Sequence, residues 1–346
     1  MITAADRGAL EQLRARTRAR WSSALRGAKD AAILDAPNQR NAGDSLIFAG
    51  ELAYLDSLGV RVRYISDIEG FDPEYMRRRM PQGVVLMHGG GNFGDVWAGH
   101  QLHRERVARA VRDYPIIVLP QSIFYHSHER ARTTNDTLRD HPDYQVMVRD
   151  RNSLARAEAL MPDVRFTYCE DAAFGWEPRP LATTGARDRV LVIARADRES
   201  ASGLRAAGDM WSYSRFAVDI EDWNPRGSSR ITGRLGRGAM RFGHFARDRR
   251  HGGGAGQALM GPALRLISGS NLRSARSLYA GARAAVVDRL HAHVLAILLG
   301  VPHVVLDQTY GKVAPVFNEY SGEFSTAHFA SNLDEASRLL REVTAQ

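Results

Sequence analysis

Lysine is almost missing from this chain. Of 346 residues only Lys29 and Lys312 are lysine, so arginine supplies the other 45 of 47 basic side chains. A codon preference across a genome explains such a bias without invoking function. Cysteine is nearly absent too. The single Cys169 excludes an intramolecular disulfide framework and a multi-cysteine metal site. No apolar run approaches the roughly 18 residues of a membrane span. The longest, Ala292–Val301, is short and interrupted by His293. Residues Met1–Leu10 have no basic stretch leading into an apolar core, so no secretory signal is visible. These absences together point to the cytoplasm.

What is present describes a globular enzyme-sized protein. Hydrophobic residues make up 44% and charged residues 25%, which excludes chain-wide disorder. At roughly 100–200 residues per domain, two domains are expected. The net charge is +8, with +6 in residues 7–29 and +5 in 221–260, leaving −3 elsewhere. Basicity confined to two segments does not form a continuous nucleic-acid-binding surface, and no nucleic-acid partner is expected. The segment Leu10–Lys29 sets Leu10, Leu13, Trp21 and Leu25 among arginines. It reads as an arginine-rich helix packed on the domain or a partly disordered arm. The competing reading is peripheral contact with an anionic membrane surface.

From residue 31 short apolar runs alternate with helical stretches. Strands are expected at Ala31–Ala36, Val60–Ile65, Val84–Met87, Ile116–Leu119 and Gln145–Val148. Helices are expected at Ser45–Leu58, His103–Arg112 and Ser153–Leu160. Such alternation indicates βαβ units around a parallel sheet buried on both faces. A second series follows a break near 175–188: strand Val190–Ala194, helix Ser274–Ala282, strand Ala285–Val287, helix Arg289–Leu299, strand His303–Leu306. Between them, residues 224–260 hold nine of the 31 glycines with little periodicity, which reads as a long mobile loop or lid. The expected organisation is a basic helical arm (1–30), a Rossmann-like domain (31–175), a linker (176–189), a second Rossmann-like domain (190–325) and a C-terminal helix (326–346, with Leu333–Val343 helical). The fold class is α/β, two doubly wound halves facing a central crevice. Ligands in such folds bind at the carboxyl ends of the strands.

The loops at those ends carry the candidate site. In Asn41-Ala-Gly-Asp44, Gly43 permits close backbone approach and Asp44 suits an N-cap. Capping does not explain why Asn38, Gln39, Arg40 and Asn41 crowd one loop end, so Asn41 and Asp44 are candidate crevice residues. His88-Gly-Gly-Gly-Asn-Phe-Gly-Asp95 follows the third strand. It satisfies G-x-G-x-x-G formally, but in the wrong place and without the acid that a dinucleotide fingerprint requires. Its glycines still expose backbone N–H groups to an oxygen-rich ligand. His88 and Asp95 flank that floor of Gly90, Gly91 and Asn92. The structural alternative is a tight strand-to-helix turn. Gln121 follows the fourth strand. Arg149 follows the fifth, at the crevice mouth or in a surface pair with Asp150.

The segment Val286-Val-Asp-Arg-Leu-His-Ala-His293 is the strongest local pattern. With Asp288 as N-cap, Arg289 and His291 fall in the first helical turn, beside its positive end. That combination suits a phosphate or carboxylate. His291 and His293 lie two apart and so on different helix faces, and no metal is expected. Lys312 follows the next strand and offers a further cation.

Seven segments, in order, resemble the polysaccharide pyruvyl transferases. They are Asn41-Ala-Gly-Asp-Ser-Leu-Ile, His88–Asp95, Leu119-Pro-Gln-Ser122, Val148-Arg-Asp-Arg-Asn-Ser153, Ala194-Arg-Ala-Asp-Arg-Glu199, Asp288-Arg-Leu-His291 and Tyr310-Gly-Lys312. The resemblance covers roughly residues 31–325 and is lost at 200–260. It implies the two-domain GT-B-like architecture and transfer of pyruvate from phosphoenolpyruvate onto two hydroxyls of a sugar as a cyclic ketal, without a cofactor. On that reading Arg149, Arg289 and Lys312 hold the donor's phosphate and carboxylate, since arginine forks match both. His291 is the expected acid and Asp44 or Asp95 the acceptor-side base. Asn41, His88, Gly90, Gly91, Asn92 and Gln121 line the acceptor side. A lipid-linked glycan acceptor would give the basic arm a reason to sit at the inner membrane face. Two rivals remain on the residues alone: a GT-B glycosyltransferase using a nucleotide sugar, and a non-enzymatic basic scaffold.

Overall fold

The protein is described from a computed structural model covering residues 2–181, 188–195, 202–207, 211, 216–222, 227–248, 253–307 and 311–345. Parts of the linker, of the 194–199 motif and of the glycine-rich stretch, and Tyr310, lie outside these residues.

Two parallel sheets organise the chain. The first contains β1 (Asp30–Leu34), β2 (Arg61–Ile65), β3 (Val84–Met87), β4 (Gly90–Gly94), β5 (Ile116–Phe124), β6 (Tyr144–Val148) and β7 (Arg165–Tyr168). Its order is β2-β1-β3-β5-β6-β7, with β4 paired to β5. The second contains β8 (Arg189–Ile193), β9 (Ala217–Glu221), β10 (Ala282–Val287), β11 (His303–Leu306) and β12 (Ala327–Ala330), in the order β12-β11-β10-β8-β9. The central strands are fully buried, Val84–Met87 and His303–Leu306 throughout, as expected where helices cover both faces. Registers such as Leu34 on Met87 and Val287 on Ile193 align the carboxyl ends. The strand order reverses between β1 and β3 and again between β8 and β10. Loops leaving such reversals splay apart and open a crevice. The two crevices face each other.

The helices are α1 (Ala4–Leu25), α2 (Ala42–Ser57), α3 (Pro73–Arg79), α4 (Ala98–Ala110), α5 (His128–Arg139), α6 (Arg151–Leu160), α7 (Gly227–Asp248), α8 (Gly253–Leu278), α9 (Leu290–Leu299), α10 (Val313–Glu319) and α11 (Leu333–Ala345). A single apolar core joins the halves, running from Leu46 and Ile47 of α2 through Phe174 to Val294 and Leu298 of α9. The GT-B-like arrangement of two Rossmann-like domains is therefore present, with continuous apolar packing between them.

Several sequence expectations change. The glycine-rich stretch is a hairpin of two long helices, α7 and α8. Its glycines are packing positions and not loop positions: a methyl on Gly236 would lie 2.8 Å from Ile267, and one on Gly243 2.5 Å from the Met260 sulfur. Residues 326–346 are not a separate helix, because β12 completes the second sheet. The edge strands β7, β9 and β12 went unread because they are partly exposed and lack a continuous apolar run. Gly90–Gly94, for which a tight turn was the structural alternative, is the extended strand β4. The basic arm is α1, and its apolar face is buried through Leu10, Leu13, Trp21 and Leu25. Arg14 donates to the carbonyls of Phe174 (2.8 Å) and Trp176 (2.9 Å), Arg20 pairs with Glu170, and Asp6 accepts from Ser325 N (2.7 Å). A helix with its apolar side in the core has none to lay on a lipid surface.

Candidate active site

One crevice gathers loop ends from both sheets. Asn41, Asp44, Gly91, Asn92 and Arg149 line it from the first domain, and Arg195, Arg289, His291 and Lys312 from the second. Two helices open onto it. Asn41, not Asp44, caps α2: its Oδ1 accepts from Gly43 N at 2.9 Å while its Nδ2 donates to Asp44 Oδ2 at 2.8 Å. Extended backbone at Asn41 (φ −119°, ψ 111°) satisfies the cap geometry one turn earlier than the composition suggested. Arg289 takes the corresponding position on α9, which has no side-chain cap. Asp288, the expected cap, instead accepts from Arg195 N (3.0 Å) and Ser202 Oγ (2.7 Å), tying the β8 and β10 loops together. Both helix starts add positive potential to the crevice.

Glycines set how closely the two domains meet there. A methyl on Gly43 would stand 2.8 Å from His291 Nδ1 and 3.2 Å from its Cβ. His291 thus packs directly on the first turn of α2, across the domain boundary. A methyl on Gly91 would lie 3.1 Å from Arg149 Nη2 and 3.4 Å from Lys312 Nζ. The strand β4 therefore leaves room for two cations from opposite domains to converge.

The electrostatic centre is a buried ion pair. Arg149, 1% exposed, donates from Nη1 to Asp171 Oδ2 at 2.7 Å and from Nε to Ser122 Oγ at 2.9 Å. The alternative, a surface pair with Asp150, is not formed; Asp150 accepts from Ser122 Oγ (2.8 Å) and caps α6 through Ser153 N (2.7 Å). His291 Nε2 stands 3.4 Å from Asp171 Oδ2 and 3.4 Å from Arg149 Nη1. Burial alone would raise the Asp171 carboxyl, but Arg149 and His291 outweigh it and hold it well below the usual carboxylate range. Arg289 pairs with Asp222 at 2.8 Å, and Lys312 Nζ lies 3.4 Å from Gly91 O. The result is a wall of cations from three loops with a histidine among them.

A profile of the polysaccharide pyruvyl transferase family matches residues 41–198 and 248–310, most of the chain and both faces of this crevice. The chain belongs to the polysaccharide pyruvyl transferase family. Pyruvyl transferase 1 of Schizosaccharomyces pombe is 26% identical over 85% of this chain and 70% of its own. The EpsO protein of Bacillus subtilis is 25% identical over 83% of this chain and 84% of its own. The solved structure of an uncharacterised Klebsiella pneumoniae protein superposes with a TM-score of 0.50 at 15% identity, covering 92% of this chain and 98% of that one, which reflects the fold alone. Family membership decides for an enzyme over a scaffold, and for pyruvyl transfer onto a glycan over sugar transfer from a nucleotide.

Within this pyruvyl transferase the expected acceptor residues divide. Asn41, Asp44, Gly91 and Asn92 line the crevice; His88, Gly90, Gln121 and Asp95 do not. His88 is buried, with Nδ1 2.9 Å from Glu51 Oε2. Burial pushes its pKa down, but the Glu51 carboxylate overrides this and raises it. Gln121 braces the floor, donating to His88 O (2.9 Å) and Asn92 Oδ1 (3.2 Å). Asp95 accepts from His126 N (2.9 Å) and Ser127 N (2.8 Å), which anchors the loop entering α5. Those backbone donors, set against partial burial, lower its pKa. Asp95 thus anchors a loop outside the crevice lining, whereas Asp44 lines it.

Sequence reasoning missed Asp171 and the pair His100–Asp35. Asp171 follows β7, a strand the sequence did not reveal, so its place at a strand's carboxyl end was hidden. His100 lines the crevice and its Nδ1 lies 2.8 Å from Asp35 Oδ1. Asp35 holds a left-handed φ of 62°, an uncommon conformation for a residue other than glycine. It sits where β1 ends, inside the stretch read as strand. Despite burial, the His100 hydrogen bond and the charges of His100 and Arg104 lower its pKa, so it stays ionised.

Proposed function

We propose that this enzyme transfers pyruvate from phosphoenolpyruvate onto two hydroxyls of one sugar, forming a cyclic ketal. The convergence of Arg149, Arg289 and Lys312 around His291 carries the reading. Phosphoenolpyruvate presents a phosphate and a carboxylate on one small frame, and three fixed cations match them. His291 gives a proton to the methylene carbon, turning it into a methyl group. A sugar hydroxyl then bonds to the adjacent carbon and loses its proton. The C–O bond to phosphate breaks, and a second hydroxyl closes the ring on the same carbon. One hydroxyl proton restores His291 and the other leaves with phosphate. Asp44 and His100 stand on the acceptor wall as the two groups that can take these protons. Asp35 fixes His100 through Nδ1, which leaves Nε2 for the hydroxyl. Trp97, 37% exposed at the crevice, offers a flat apolar surface to the sugar ring.

The test is incubation with phosphoenolpyruvate and a panel of glycosides, measuring phosphate release and product mass. A product heavier by pyruvate less one water supports the reading. Phosphate release without added mass, or stabilisation by a nucleotide and none by phosphoenolpyruvate, would overturn it. Gly43→Ala provides a geometric check. Its methyl must displace His291, and misplacement of a catalytic group by about 1 Å costs up to roughly 100-fold. Turnover is expected to fall roughly 10- to 100-fold, while the melting temperature changes little.

A further inference from the structure

The helix α7 has two faces of opposite use. Gly233, Gly236, Met240 and Gly243 are buried against α8. On another face Ile231, Leu235 and Phe242 are 62%, 66% and 54% exposed. Their spacing of four and seven places them in one row along the helix. Arg230, Arg234, Arg237 and Arg241 repeat that spacing one residue earlier, and residues 227–247 contain no acid. An apolar row beside a basic row is the pattern of a helix that lies in a membrane interface.

The patch is fixed beside the crevice. Asn271 of α8 donates to Gln39 O (2.8 Å) and Ser45 Oγ (3.0 Å), and His244 of α7 stands 3.0 Å from the buried Asp67. Arg40 lies between Gln39 and Asn41, both of which line the crevice. Burial and the like charges of Arg40, Arg234 and Arg241 hold the Arg237 guanidinium below its usual value.

We propose that α7 seats this enzyme on an anionic lipid bilayer, its apolar row at the acyl boundary and its arginine row on headgroup phosphates. A second copy of the chain is the weaker occupant, because two-fold pairing of the apolar rows would bring arginine rows together with no acid among residues 227–247 to neutralise them. The proposal depends on the pyruvyl-transfer reading only for its purpose, which is to present the crevice to a membrane-borne glycan.

Co-sedimentation of the full chain with vesicles of phosphatidylcholine, alone or mixed with phosphatidylglycerol, tests it. Binding to the anionic vesicles is expected, falling at least about tenfold on neutral vesicles or in high salt. The triple variant Ile231→Ser, Leu235→Ser, Phe242→Ser is expected to lose roughly 30-fold or more in partitioning, since three apolar groups no longer enter the interface. Arg230→Gln with Arg234→Gln should weaken anionic binding in a second, chemically different way. Both variants should keep full turnover on a soluble acceptor, which separates failure of this proposal from failure of the activity. Absence of wild-type binding to anionic vesicles, undiminished binding by the triple variant, or a dimer in solution that the triple variant dissociates would overturn it.

Discussion

Alanine at position 291 is expected to lower turnover about 100- to 10,000-fold, the range that removal of a positioned proton donor commands. The donor should still bind, because Arg149, Arg289 and Lys312 remain around it. The measurement pairs steady-state phosphate release with the melting shift produced by phosphoenolpyruvate. A His291→Ala protein that turns over normally would remove the residue from the mechanism; one that no longer binds donor would make it a binding group. The geometry favours the proton role. His291 is held by packing on Gly43 through its Nδ1 side and by Asp171 and Arg149 at 3.4 Å through Nε2. Fixing the ring in this way holds its nitrogens in one place at the crevice, as a proton donor requires.

The second large effect is expected at Asp171, which is buried behind the crevice lining and acts by position. Asp171→Asn leaves the Arg149 guanidinium buried without its counter-charge. Breaking a buried pair by removing one partner costs about 3–5 kcal/mol, and the retained amide places the expected loss near the lower end. Turnover should fall by at least about 100-fold, since Arg149 and His291, the groups proposed to bind donor and to protonate it, lose their common anchor. The pH dependence has a definite sign. Asp171 has a folded pKa below its unfolded value of about 3.9, so its contribution is complete above that value and is lost as pH falls through the folded one. The stability advantage of wild type over Asp171→Asn should therefore shrink on acidification below about pH 4. Denaturant unfolding of both proteins at neutral and acid pH reads this directly. A constant difference would mean that Asp171 acts through packing and not through charge.

The architecture of this enzyme was legible wherever one local signal was enough. Val84–Met87 and His303–Leu306 are uninterrupted apolar runs, and both are strands with the expected ends. Loops that follow such strands must reach the crevice, so Arg149, Arg289, His291 and Lys312 could be placed from sequence order alone. Local signal failed where the pattern meant something else. The glycines of 227–243 lack the periodicity of an apolar helix, because close contact with α8 calls for small residues where an ordinary helix carries large ones. The arginines of α1 are compatible with a packed helix and with a membrane contact alike, and Glu170 and the carbonyls of Phe174 and Trp176, which engage Arg20 and Arg14, decide for packing.

The sequence by itself therefore determined the parallel α/β class, the two-domain division and the cationic character of the site. Hydrophobic runs, glycine placement and charge are properties of neighbours along a chain. Tertiary structure alone decided the partners. Arg149 and Asp171 lie 22 residues apart, Arg149 and His291 lie 142 apart, and Asp35 and His100 lie 65 apart. Nothing in local composition distinguishes a buried carboxylate that orients a histidine from one that anchors a loop, as Asp95 does. That distinction comes from which strand ends the sheet order brings to one crevice, and from the burial that makes a single ion pair strong enough to fix the geometry.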